Sequence, residues 1–125
     1  MTFELSQRFY FEAAHTLRRK IETEDSLRIH GHTYHAEVTI SGAPDPTTGM
    51  MMDLAFLRQE VEKVRQQLDH RFLDEVPGIG PATLENLCAF IHRQLAASLP
   101  QLSSIRVWRP ASGDACCLRL NTHIA

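Results

Sequence analysis

The stretch Phe3-Glu4-Leu5-Ser6-Gln7-Arg8-Phe9-Tyr10-Phe11-Glu12-Ala13 alternates with a period of two. Phe3, Leu5, Phe9, Phe11 and Ala13 fall on one face, and Glu4, Ser6, Arg8 and Glu12 on the other. This is the pattern of a strand with one face in a core and one in water. A second stretch of this kind runs from His32 to Ser41, with Tyr34, Ala36, Val38 and Ile40 on one side. Gly42-Ala43-Pro44-Asp45-Pro46 ends it with turn chemistry. Residues 17–29, between the two, are polar and charged and read as a loop.

The period then changes. Met50-Met51-Met52 reads as a brief strand and Asp53 as a helix N-cap. Leu54, Leu57, Val61, Val64 and Leu68 recur at spacings of three and four, which makes one buried face of an amphipathic helix. Thr83 caps a second helix whose inner stripe is Leu84, Leu87, Ile91 and Leu95, and Pro100 closes it. Residues 104–109 and 115–121 read as two final strands joined by a turn through Pro110, Ser112, Gly113 and Asp114. The expected class is therefore α+β: a four-stranded antiparallel sheet with two helices packed on one face, in ββααββ order, with residues 1–125 as a single domain. Such a sheet leaves one face and its edges unprotected, and closed assembly with copies of itself is one solution.

A chain of 125 residues, 43% of them hydrophobic, suits one globular core. The net charge of -2 argues against nucleic acid as a partner, and Arg18-Arg19-Lys20 is too short a basic run to reverse that. No apolar stretch approaches membrane-spanning length, and Met1-Thr2-Phe3-Glu4 lacks the layout of a signal peptide. Three cysteines, two of them adjacent at Cys116 and Cys117, suggest no disulfide framework and fit a reducing cytoplasm. Cys116 and Cys117 read as core thiols and Trp108 as a packing residue.

Chemistry concentrates in the histidines. His30-Gly31-His32 places two imidazoles on the same side of an extended backbone, and Gly31 leaves room between them. His15, at the end of the first strand, can add a third. Three neutral nitrogens with one open position form the usual catalytic zinc arrangement, although this spacing alone does not identify a reaction. His35, His92 and His123 are read as structural or solvent-facing. Asp69-His70 follows the first helix, either as a dipole-favoured end or as a general acid/base whose carboxylate contact must come from the turn. Glu85, in the first turn of the second helix, stabilises the helix dipole in its simplest role.

Five segments occur in order: Phe11-Glu12-Ala13-Ala14-His15, Arg28-Ile29-His30-Gly31-His32, Gly49-Met50-Met51-Met52-Asp53-Leu54, Leu68-Asp69-His70-Arg71-Phe72-Leu73 and Thr83-Leu84-Glu85-Asn86-Leu87. Together they resemble the 6-pyruvoyltetrahydropterin synthase / 6-carboxytetrahydropterin synthase family. The resemblance implies the tunnelling fold (T-fold), with three copies closing a barrel and two trimers stacked as a hexamer. It implies Zn2+ on His15, His30 and His32, and Asp69 with His70 as the proton shuttle. The implied substrate is a pterin, typically 7,8-dihydroneopterin triphosphate, bound at a subunit interface with Glu85 among the substrate-binding candidates. The implied reaction is that of a lyase: loss of triphosphate or side-chain cleavage. One branch of the family makes the tetrahydrobiopterin precursor; the bacterial branch feeds 7-deazaguanine and queuosine synthesis.

Two departures follow from the same comparison. The family's catalytic cysteine stands four residues before the histidine pair, and here that position is Ser26. A serine hydroxyl supplies no thiolate, since even a thiol has a reference pKa of roughly 8.5. Ser26 needs a base such as His70, or Glu24 or Asp25 transfers the proton instead. The family's ring-anchoring glutamate is replaced by Arg109, which has donors only and favours a carboxylate, phosphate or carbonyl edge. Asp114 is a substitute carboxylate offered by the turn. These changes predict weak or absent activity on the usual triphosphate. They leave two rivals: a diverged enzyme with a different, anionic substrate, and a non-catalytic, zinc-stabilised binding protein.

Overall fold

The computed structural model describes residues 1–21 and 23–120. The elements are β1 (Phe3–His15), α1 (Thr23–Leu27), β2 (His30–Gly42), α2 (Leu54–Leu68), β3 (Arg71–Phe72), a 3-10 turn (Leu73–Glu75), α3 (Leu84–Leu95), β4 (Leu102–Arg109) and β5 (Asp114–Arg119). One sheet has the order β3-β1-β2-β4-β5. The class is α+β, but the sheet corrects the sequence expectation: it has five strands and is mixed, because β3 runs parallel to β1 through Ala13↔Arg71 and Ala14↔Phe72. The chain leaving α2 reverses within Asp69 and His70 and lays two residues beside β1. Two residues are too few to display a period, so the pattern could not announce them.

Three smaller corrections have local causes. Met50–Met52 form no strand; an Asp45 turn holds this segment, with Oδ1 of Asp45 accepting from the Thr47 and Thr48 N–H groups at 2.7 and 3.1 Å. The expected loop at 17–29 contains the one-turn α1, tied down where the Leu17 N–H donates to the Ser26 carbonyl at 2.7 Å. Cys117 is exposed on the outer face of β5 and not in the core, whereas Cys88 is buried and Cys116 packs against the core. The expected strand end at residue 121 and His123 lie outside the described residues.

Both long helices cover the same face. Leu57, Val61, Val64 and Leu68 of α2 and Leu87, Ile91 and Leu95 of α3 join Phe11, Ala36, Val38, Ile40, Ile105 and Val107 in one buried cluster. The caps read from sequence are formed: Asp53 accepts from the Ala55 N–H at 2.8 Å and Thr83 from the Asn86 N–H at 3.1 Å. The opposite face carries a row in which His35 stacks between Tyr10 and Trp108, at 5.8 and 5.6 Å, with Arg106 over the indole at 4.5 Å. Trp108 thus packs, but away from the helices. Among the described residues, no helix is long and apolar enough to cross a membrane.

The β1–β2 register positions the site. His15 pairs with His30 and Ala13 with His32, so all three imidazoles project from the helix-bearing face at one end of the sheet.

Candidate functional site

His15, His30 and His32 each offer one ring nitrogen, and these atoms lie within 4.8 Å of one another. Backbone carbonyls set the tautomers. His15 Nδ1 donates to the Ala82 carbonyl at 2.9 Å, and His30 Nδ1 to the Arg28 carbonyl at 2.7 Å. A carbonyl only accepts, so each Nδ1 carries the proton and each Nε2 keeps a lone pair. Nη1 of Arg109 lies 3.3 Å from Nε2 of His32 and can only donate, so this Nε2 also presents a lone pair. Yet His32 Nε2 and His15 Nε2 stand 3.2 Å apart. Neither nitrogen then carries a proton, so no hydrogen bond joins this close pair, and a cation between them would. Zinc–nitrogen bonds of about 2.0–2.1 Å at tetrahedral angles place ligand nitrogens roughly 3.3 Å apart, so the pair fits such an ion.

The charge state agrees. Burial, helped by the Arg109 guanidinium and the other imidazoles, pushes His32 down to about 4. Burial also lowers His15, against an opposing pull from the Ala82 carbonyl. Both rings are therefore neutral at ordinary pH, the form a metal ligand requires.

The cluster opens into a recess of about 600 Å³ lined by Ser26, Asp25, Tyr34, Glu85, Arg109 and Asp114 among others. Ser26 is buried, and its hydroxyl donates to the Thr23 carbonyl at 3.0 Å, so its partner is an acceptor of α1 and not a catalytic base. Asp25 reaches the recess; Glu24 is not among its lining residues. Glu85 sits at its rim in the first turn of α3. Arg109 is held by Asp114, with Nη2 to Oδ2 at 2.8 Å.

Asp69 and His70 are elsewhere. The Asp69 carboxylate accepts from the Glu12 N–H at 2.9 Å, the main reason its pKa lies below the usual carboxylate range. Asp69 also meets His70 Nδ1 at 2.9 Å and Arg65 at 3.1 Å. His70 adopts a left-handed backbone with φ of 58° and donates its N–H to the Glu12 carbonyl at 2.6 Å. That turn supplies the carboxylate–imidazole contact that a helix would not. The His70 side chain is 77% exposed and lines a second recess with Thr33 and Phe72, and His32 lines both recesses.

The profile of the family described as 6-pyruvoyl tetrahydropterin synthase matches residues 4–119. Human 6-pyruvoyl tetrahydrobiopterin synthase is 37% identical over 111 residues, covering 78% of this chain and 77% of the human protein. The chain belongs to the 6-pyruvoyl tetrahydropterin synthase family. A dihydroneopterin monophosphate aldolase of Pyrococcus furiosus is 32% identical over 111 residues, covering 86% of this chain and 90% of the aldolase. The solved 6-pyruvoyl tetrahydropterin synthase of Caenorhabditis elegans shares the fold, with a TM-score of 0.82, 24% identity and 97% of each chain covered. The T-fold expectation thus holds for this family member, with the strand count corrected as above.

Several residues around the site were not singled out from sequence. Tyr34 was read only as core, yet it lines the recess. Asp74 fixes the exit of the His15 strand by accepting from the Thr16 N–H at 3.0 Å and from the Thr16 hydroxyl. The Ala82 carbonyl orients His15 across 67 residues. Backbone acceptors carry no side-chain signature, and Asp74 announces itself only by following the Asp69-His70 segment.

Proposed function

We propose that this family member, acting as one domain, is a zinc-dependent lyase for a pterin of the 7,8-dihydroneopterin phosphate class. The carrying observation is the cluster of three ring nitrogens within 4.8 Å, with the unprotonated Nε2 atoms of His15 and His32 at 3.2 Å. His15, His30 and His32 would hold the zinc. A zinc ion held there would supply Lewis acidity to a substrate hydroxyl, which would ease removal of the neighbouring carbon-bound proton.

The chain's own residues do the rest. The Ala82 and Arg28 carbonyls hold the imidazoles in the ligating tautomer. Asp25, beside Ser26 on α1 and lining the recess, takes a proton from the substrate in this reading, and Ser26 serves as a hydrogen-bonding neighbour. His70, oriented by Asp69, exchanges a proton with the substrate side chain. In this reading the working unit is a trimer or hexamer with the substrate bound between subunits, as the family resemblance implies, and His70 shares its recess with His32. Glu85 contacts the substrate at the rim.

The names of the human and Pyrococcus relatives cover synthase and aldolase chemistry. A 6-carboxytetrahydropterin synthase role, feeding 7-deazaguanine and queuosine in a reducing cytoplasm, is the reading adopted for this chain. A second reading, a diverged member with an anionic substrate, is favoured by one observation: Arg109 reaches the ligand nitrogen of His32.

The test is turnover of 7,8-dihydroneopterin triphosphate and monophosphate by zinc-reconstituted protein, followed by chromatography of the pterins. The expected result is slow conversion that a chelator abolishes and zinc restores. Conversion indifferent to the metal, or none at all, overturns the proposal.

A further inference from the structure

Arg109 stands where two demands conflict. Its Nη1 reaches His32 Nε2 at 3.3 Å, the nitrogen that also faces His15. A metal ion and a guanidinium cannot both bond one lone pair. On loading, the guanidinium either withdraws wholly onto Asp114 or shares an anion with the metal, and a shared anion removes the repulsion between two cations.

Three further observations favour the anion. Nε of Arg109 is buried without a hydrogen-bond partner. The Tyr34 hydroxyl, on a side chain 1% exposed that lines the same recess, makes no hydrogen bond of normal geometry; its near contact is the Arg109 guanidinium, from which it can only accept, so its own proton has no acceptor. A buried hydroxyl proton without an acceptor beside a cavity calls for one. Finally, the recess lining carries two guanidinium groups, Arg19 and Arg109, against three carboxylates, Asp25, Glu85 and Asp114. A divalent ion changes that balance from one net negative charge to one net positive charge.

We propose that the recess receives an anionic oxygen group of the substrate, a carboxylate or a phosphate, on Arg109 with Tyr34 as the second donor, and that this contact sets substrate choice. The inference rests on the proposed metal-dependent pterin reading and names the charge its substrate presents. Arg109 uses its planar fork to hold two oxygens, and Asp114 keeps that fork in position through its 2.8 Å contact.

Zinc-loaded wild type, Arg109→Met, Arg109→Glu and Tyr34→Phe are titrated calorimetrically with 6-carboxypterin and with 6-hydroxymethylpterin, which differ in one carboxylate. Zinc content and melting temperature confirm that each variant is folded and loaded. Wild type is expected to prefer the carboxylate by at least about tenfold, the effect of one hydrogen bond to a charged group. Arg109→Met brings the two affinities together, Arg109→Glu reverses their order, and Tyr34→Phe narrows the gap several-fold. Equal binding by wild type, or a preference unchanged in Arg109→Met, overturns the inference. Competition by inorganic phosphate or by acetate then identifies which anion the subsite accepts. If neither pterin binds wild type, the pterin reading fails. Phosphate or acetate binding that Arg109→Met abolishes still upholds the anion subsite, and binding indifferent to Arg109 removes it.

Discussion

The chain builds two histidine sites at the same end of β1, by opposite means. His15 and His32 lie in the sheet ladder, desolvated, with carbonyls or a guanidinium assigning their tautomers. His70 stands at the edge, 77% exposed, on a left-handed backbone, with a carboxylate 2.9 Å away. Burial keeps a ring neutral and leaves a lone pair to offer. Exposure leaves a ring in water, here with a carboxylate fixing its orientation. One residue type is thus prepared for two proposed roles, metal ligand in the first place and proton transfer in the second.

The largest test of that contrast is metal content. His32→Ala should weaken zinc binding by more than about a hundredfold, the upper range for losing only an outer partner of a ligand. His70→Ala should leave zinc stoichiometry unchanged. A competition titration against a chromophoric chelator reads both, and equal losses would dissolve the distinction.

The next test is pH. The folded pKa of His32 is held at about 4 and that of His15 is lowered, both below an unfolded value of roughly 6.5. Between those limits the unfolded chain binds protons that the folded chain refuses. The metal-free protein should therefore be fully stable above about pH 6.5 and lose stability as pH falls toward 4. The depressed carboxyls Asp69 and Asp114 add their loss only lower, below about pH 4. Thermal melts across pH check this, and His32→Gln should flatten the limb between 6.5 and 4.

The smallest effect sharpens the other side. A side chain at φ of 58° carries local strain that glycine does not. His70→Gly should be more stable than His70→Ala by about 1 kcal/mol in urea unfolding, since both lose the imidazole and only one keeps a Cβ. Equal midpoints would mean that the turn is not strained.

The sequence disclosed these regions unequally. Alternation in Phe3–Ala13 and in the run from His32 to Ser41 set β1 and β2, and the His-Gly-His spacing then put two rings on one side. The third partner, His15, followed once the strands were paired. Arg71-Phe72 as a fifth strand was hidden, because pairing of two residues is decided by the turn at His70 and not by any period. The contact of Arg109 with His32 spans 77 residues and depends on the β2–β4 register, which no local pattern encodes. Ser26 was placed by its distance from His30, but its carbonyl partner emerged only with α1.

All three imidazoles arise within 18 consecutive positions, from residue 15 to residue 32, on neighbouring strands joined by a single connection. Closing so short a segment costs little entropy, because that cost grows only logarithmically with length. A denatured chain would therefore keep part of the hold on zinc proposed for the folded protein. Added zinc will raise the melting temperature by less than its affinity for the folded protein suggests, since some of that affinity is shared with the unfolded form.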